Sequence, residues 1–213
     1  MSNQLGRFIT LEGGEGAGKS TQIKRLTARL AACGIDVVAT REPGGTPGAE
    51  AIRGLLVTGD TARWEPATET LLHYAARAEH VRKQVQPALA RGAWVVSDRF
   101  ADSTMAYQGY AGQVGRAAVE SLHGWVLGDF KPDLTLILDL PVEIGLARAG
   151  GRGGGEDRYE RMGLAFHEAL RAAFLDIAAR EPQRCHVVDA SPEPDAVAAA
   201  LWAVVAARFN LAP

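Results

Sequence analysis

The sequence predicts an α/β fold, a five-stranded parallel sheet flanked by layers of helices, and three observations carry that reading. Short apolar or β-branched runs alternate along the chain with stretches of helical spacing, the order that builds a parallel sheet covered on both faces. Residues 134–138 are almost continuously apolar, as expected of a strand buried from both sides. The 213 residues, 47% hydrophobic and 23% charged, have the make-up of a globular domain. At roughly 150 residues per domain they predict a single one, spanning residues 1–213.

In order, residues 8–11 (Phe-Ile-Thr-Leu) read as the first strand and residues 20–32 as the first helix. Val37 and Val38 open a second strand at 37–40, followed by helical spacing over 49–56 and a long helix over 68–90. Residues 93–96, with Trp94, Val95 and Val96, form the third strand, and 116–127 a helix. The fourth strand is 134–140, helices follow at 143–149 and 164–180, and the fifth strand is 186–188. The longest apolar run, 196–207, is Ala-rich and bracketed by Asp195 and Arg208, so it reads as a buried last helix. Its twelve residues fall short of the ~20 needed to span a bilayer. Right-handed crossovers follow from such an arrangement, and ligands gather at the C-terminal ends of the strands.

The charge balance of 23 Lys+Arg against 25 Asp+Glu, net -2, argues against an extended nucleic-acid partner but leaves room for a local cationic site. Two cysteines, Cys33 and Cys185, are too few for a disulfide scaffold, and both are expected as reduced buried thiols. The first seven residues lack an apolar stretch of signal-peptide length, so no membrane and a cytoplasmic location are expected.

After the first strand comes Gly13-Gly14-Glu15-Gly16-Ala17-Gly18-Lys19-Ser20, followed by Thr21. Gly, four residues, then Gly-Lys-Ser is the P-loop pattern, which places the chain in the three-layer P-loop NTPase fold. The glycines let successive N–H groups point inward, and the following helix adds its positive end to the anion site. Lys19 is expected on the terminal phosphates and Ser20 on Mg²⁺, at a nucleoside triphosphate site. The loop interior carries no cation of its own, so positive charge must come from elsewhere. Residues 150–155, Gly-Gly-Arg-Gly-Gly-Gly, carry Arg152, with Arg148 before and Arg158 after; they read as a hinged lid over about 148–160.

A second anion site is expected at the same sheet edge. Asp98-Arg99 ends the third strand, where Asp98 can hold Mg²⁺ through water and Arg99 can fork onto a phosphate. Arg53 lies beyond the Gly- and Pro-rich loop after the second strand, and Arg77 shares a helix with His73 and Tyr74. Any one of these arginines taken singly is more often a solvated helix residue.

These residues together resemble the thymidylate kinase family, of the bacterial kind with lid arginines. The resemblance runs through Phe8 to Gly13, Thr40-Arg41-Glu42-Pro43-Gly44-Gly45-Thr46, Leu71 to Arg77, Ser97-Asp98-Arg99-Phe100, Ala106-Tyr107-Gln108-Gly109, Pro132 to Leu136 and Gly155 to Glu160. It implies ATP-dependent phosphorylation of dTMP to dTDP by a Mg²⁺-using homodimer. By the same resemblance Arg77, Arg99 and Arg53 bind the dTMP phosphate, and Glu15 lies near the deoxyribose. Thr104 and Gln108 face the thymine edge, Tyr107 sits against the sugar, and adenine rests near Arg148 and residues 189–195. Catalysis falls to Lys19, Arg99, Arg152 and Arg158. The family often has a Phe where this chain has His73, which leaves open whether His73 or Tyr74 covers the base. Two alternatives remain: a P-loop kinase of a different nucleotide or nucleoside, and a nucleotide-gated switch, whose Asn-Lys-x-Asp guanine motif is absent.

Overall fold

The computed structural model describes residues 6–112, 114–150 and 158–211. Its five strands are β1 (Phe8–Glu12), β2 (Val37–Arg41), β3 (Trp94–Asp98), β4 (Leu134–Asp139) and β5 (Cys185–Asp189), each within a residue or two of the predicted run. They form one parallel sheet in the order β2-β3-β1-β4-β5. β1 and β4, flanked by neighbours on both sides, carry nearly unbroken buried runs.

The helices are α1 (Lys19–Ala32), α2 (Pro47–Val57), α3 (Pro66–His80), α4 (Gln86–Ala90), α5 (Ala101–Thr104), α6 (Arg116–Leu127), α7 (Val142–Ala149), α8 (Leu164–Arg180) and α9 (Pro194–Phe209). On one face α1 and α9 pack onto the sheet through Ile23, Leu26, Leu30, Leu201, Trp202 and Val205. On the other, Tyr107, Leu170, Phe174 and Ile177 form one apolar cluster, and Phe8, Val81, Val85 and Phe100 another. No helix among the described residues is long and apolar enough to cross a membrane.

Two departures from the predicted elements bear on the site. The helix expected over 68–90 is interrupted by a π-helical turn, Val81–Val85, just before Pro87, which has no N–H to continue the ladder. The segment after β3, unassigned above, coils as α5 and then widens into a π-helical stretch, Met105–Ala111. Within that stretch the consecutive residues Ala106, Tyr107, Gln108 and Gly109 are all buried. A third correction concerns the thiols: Cys185 is buried, but Cys33, just past the end of α1, is exposed.

Candidate active site

The phosphate cradle is built at the β1–α1 junction. Gly18 caps α1 in the left-handed region at φ 87°, so Lys19 opens the helix. Lys19 Nζ folds back to donate to the carbonyls of Gly13 (3.0 Å) and Gly14 (2.8 Å). Burial, and then Arg99, lower its pKa to about 8. Gly16 has φ 70°, and a Cβ there would lie 1.9 Å from the Gly145 carbonyl oxygen. A Cβ on Gly145 would in turn meet the Glu15 carbonyl at 2.5 Å, so the loop and α7 touch backbone to backbone.

Register brings the rest of the site to this edge. Leu11 pairs with Asp98, and Thr40 with Ser97, so the residues following β1, β2 and β3 emerge side by side. Ser20 Oγ donates to Asp98 Oδ2 at 2.9 Å, uniting the two residues expected at a metal. Arg99, at φ 69°, spreads its guanidinium over three partners: Nη1 donates to the Gly13 carbonyl (3.0 Å) and Ser103 Oγ (3.1 Å), and Nη2 to Glu15 Oε1 (2.9 Å). Tyr107 Oη also donates to Glu15 Oε1, at 2.6 Å. Burial alone would raise the Glu15 pKa, but Arg99, Lys19 and the Tyr107 hydroxyl outweigh it and hold it at about 2.

Beyond Arg99 lies an inner cavity of about 120 Å³ walled by His73, Arg77, Thr104, Tyr107, Gln108 and Tyr159. Glu15, Glu42, Arg53 and Arg99 border both this cavity and the open cleft over Lys19 and Ser20. Arg77 is buried; Nε donates to Glu42 Oε2 (2.7 Å) and Nη2 to the Phe100 carbonyl (3.1 Å) and Thr104 Oγ1 (2.9 Å). Its guanidinium lies over the rings of Tyr74 (4.6 Å) and Phe100 (5.2 Å). Two polar atoms of the cavity wall are buried without a protein partner, Arg77 Nη1 and Gln108 Oε1. A ligand with one acceptor and one donor edge fits such a wall, because a buried polar group left unpaired is costly.

Several expectations change. Between His73 and Tyr74, it is His73 that lines the cavity; Tyr74 turns toward Val119 and His123. Arg77, expected beside Arg53 and Arg99 on a phosphate, lines only the inner cavity, whereas Arg53 and Arg99 border both spaces. Arg158 is not placed as a phosphate contact. Its buried guanidinium donates to the carbonyls of Leu56, Asp60 and Thr61 and pairs with Glu69, because this end of the expected lid packs onto the α2–α3 connection. Tyr159 lines the cavity as well. Arg152 lies outside the described residues. Arg148 reaches the carbonyls of Ala190 and Ser191, joining the two elements expected around adenine.

Three buried acidic residues that shape the site, Glu12, Glu42 and Glu69, had no role in the sequence reading. Glu12, wholly buried, accepts from the Phe100 amide (2.7 Å) and Ser103 Oγ (2.5 Å); burial, then Asp102, raise its pKa to about 8. Glu42 accepts from Arg77 and hydrogen-bonds His80 Nδ1 at 2.8 Å. Glu69 receives Gln108 Nε2 at 2.8 Å. The one available signal was their apolar or aromatic setting, as with Glu12 closing the run Phe-Ile-Thr-Leu.

Burial, then Arg77 and Arg158, lower the His73 pKa from 6.5 to about 3. Its folded value is depressed, so below pH 6.5 the unfolded chain takes up a proton that the folded one refuses, and stability is lost as pH falls. Glu12, with a raised value, acts in the opposite sense between about 4.5 and 8, so the parent alone shows a muted slope. We therefore expect the difference in unfolding free energy between His73→Phe and the parent to shift toward the variant by up to about 1.4 kcal/mol per pH unit below 6.5. Urea midpoints at pH 7 and pH 5 measure it; a difference independent of pH would refute a neutral His73.

A glycine-rich phosphate cradle at β1–α1, with a second cation-bordered cavity opening on the same strand edge, defines a P-loop nucleotide kinase. The thymidylate kinase family model matches residues 11–201. The chain is 60% identical over 206 residues to the thymidylate kinase of Caulobacter vibrioides, covering 97% of this chain and 99% of that one. It is 51% identical over 214 residues to that of Bradyrhizobium diazoefficiens, covering 100% and 94%. The solved thymidylate kinase of Ehrlichia chaffeensis superposes with a TM-score of 0.76 at 34% identity, over 94% of this chain and 98% of that one. The chain belongs to the thymidylate kinase family and is a phosphotransferase.

Proposed function

We propose that this chain transfers the γ-phosphoryl group of ATP to the phosphate of dTMP, giving dTDP and ADP. The observation that carries the reading is Arg99, whose guanidinium bridges the Gly13 carbonyl of the phosphate cradle and Glu15 at the mouth of the inner cavity, so one cation borders both phosphate positions. The acceptor phosphate, with a second pKa of about 6, arrives largely as a dianion and needs no general base. Its oxygen bonds to the γ-phosphorus as the bond from that phosphorus to the β–γ bridging oxygen breaks, and the electron pair leaves with ADP. The obstacle is repulsion between two polyanions.

Lys19 and the backbone of Gly13, Gly14, Gly16, Ala17 and Gly18 hold the donor phosphates, with Ser20 and Thr21 at the start of α1, and Arg148 sits at the adenine end. Arg53 and Arg99 hold the acceptor phosphate; Arg77, Thr104, Gln108 and His73 surround the base; Glu15 and Tyr107 meet the sugar. Ser20 Oγ and Asp98 Oδ2 are hard oxygen donors 2.9 Å apart, the chemistry Mg²⁺ takes, and would hold that ion, which when bound neutralises phosphate charge. Arg152 supplies the cation the loop lacks, from a lid spanning about 148–160 of a single domain. A homodimer is supported by exposed apolar residues on neighbouring helices, Leu55 on α2, Leu71 on α3 and Trp125 on α6. A cytoplasmic location suits the use of ATP as donor.

An acceptor panel of dTMP, dUMP, dCMP, UMP and thymidine with ATP and Mg²⁺, read by ADP release, tests the assignment. dTMP should lead clearly; equal turnover of UMP and dTMP would discard the pyrimidine deoxynucleotide reading.

A further inference from the structure

The orientation of a glutamine amide decides which face it shows a ligand, and here a second residue decides it. Glu69 on α3 is buried, and its carboxylate sits at a three-way junction. Gln108 Nε2 donates to it at 2.8 Å, Arg158 forms an ion pair with it, and the Tyr159 hydroxyl lies close by. Tyr159 Oη in turn hydrogen-bonds His73 Nε2 at 3.0 Å. An ion-paired carboxylate only accepts hydrogen bonds. Gln108 therefore turns its NH₂ toward Glu69 and leaves its Oε1 buried, without a protein partner, on a residue that walls the inner cavity. The reverse orientation would set carbonyl oxygen against carboxylate and strand a buried donor.

We propose that Glu69 is a specificity-positioning residue: by locking the Gln108 amide it makes the cavity present an acceptor, selecting pyrimidines that carry a ring N–H and disfavouring those whose ring nitrogen is bare. Arg158 is the strut of this device. It anchors Glu69 to the carbonyls of Leu56, Asp60 and Thr61, so the segment carrying Arg158 sets the base-reading group without touching the nucleotide. The inference rests on the base occupying the inner cavity, as proposed above.

Comparing dUMP with dCMP isolates the ring edge, since both lack the methyl group. Glu69→Gln keeps the shape but offers Gln108 either a donor or an acceptor, so the amide is no longer locked. We expect the dUMP/dCMP ratio of kcat/KM to fall about tenfold or more, mainly through KM, with KM for ATP unchanged. Arg77, which also walls this cavity and has an unpartnered buried Nη1, is untouched, so the ratio does not reach unity. Glu69→Asp keeps an obligate acceptor and should retain most of the discrimination; a purely structural role would treat the two variants alike. An unchanged ratio in Glu69→Gln, or an equal loss in both, overturns the proposal. Calorimetric titration of the parent with dUMP and N3-methyl-dUMP decides the matter if the variants do not fold: equal affinities reject a locked acceptor, and a loss of about tenfold or more upholds it. The function assignment fails separately, through absent dTMP turnover by the parent.

Discussion

Lys19→Ala should lower kcat by at least about 10²- to 10³-fold while leaving the fold intact, the range seen when a preorganised group on developing charge is removed. Lys19 makes two hydrogen bonds to Gly13 and Gly14 carbonyls, so it is already aimed along the cradle before any ligand arrives. No side chain inside the loop can replace it, because Glu15 is the one charged residue there and is an anion. The lowered pKa of about 8 gives a second signature. Deprotonation of the free enzyme should make kcat/KM for ATP decline as pH rises through about 8, and the limb should vanish in the variant. Steady-state kinetics from pH 6.5 to 9.5 measure both; a variant within tenfold of the parent would remove Lys19 from the chemistry.

Glu42→Leu should destabilise the protein by about 3–5 kcal/mol, the cost of leaving a buried charge without its partner. Glu42 joins Arg77, buried at 2% exposure, to His80, which is fully buried and also hydrogen-bonds Thr40 Oγ1 at 2.7 Å. Removing the carboxylate strands the Arg77 guanidinium between Tyr74 and Phe100. Glu42→Gln, which still accepts one hydrogen bond from Arg77, should lose less. Because Arg77 also walls the base cavity, both variants should raise KM for dTMP and leave KM for ATP near the parent value. Urea denaturation and initial rates test this together; a parent-like midpoint in Glu42→Leu would show that the pair contributes little.

What the sequence determined by itself is local. The strand and helix order follows from period and from turn residues within a few positions of each element, and the five strands fall where the apolar runs lie. The phosphate cradle is legible because its chemistry sits in eight consecutive residues, Gly13 to Ser20. Asp98 and Arg99 were legible because they end a strand, and the strands' C-terminal ends are where such sheets bind ligands.

Tertiary structure alone decided the partnerships. Glu42 and Arg77 are 35 positions apart, Glu69 and Gln108 39, and Tyr107 and Glu15 92. Nothing in a linear pattern pairs charges across such distances, because pairing depends on sheet register and on how helices pack against each other. The π-helical stretch Met105–Ala111 has no 3.6-residue signal, yet it buries both Tyr107 and Gln108. Arg158 shows the same limit from the other side. Beside a glycine-rich run it read as a mobile cation, but three backbone carbonyls and Glu69 hold it in place, and four such bonds in a buried setting outweigh the freedom its neighbours suggest.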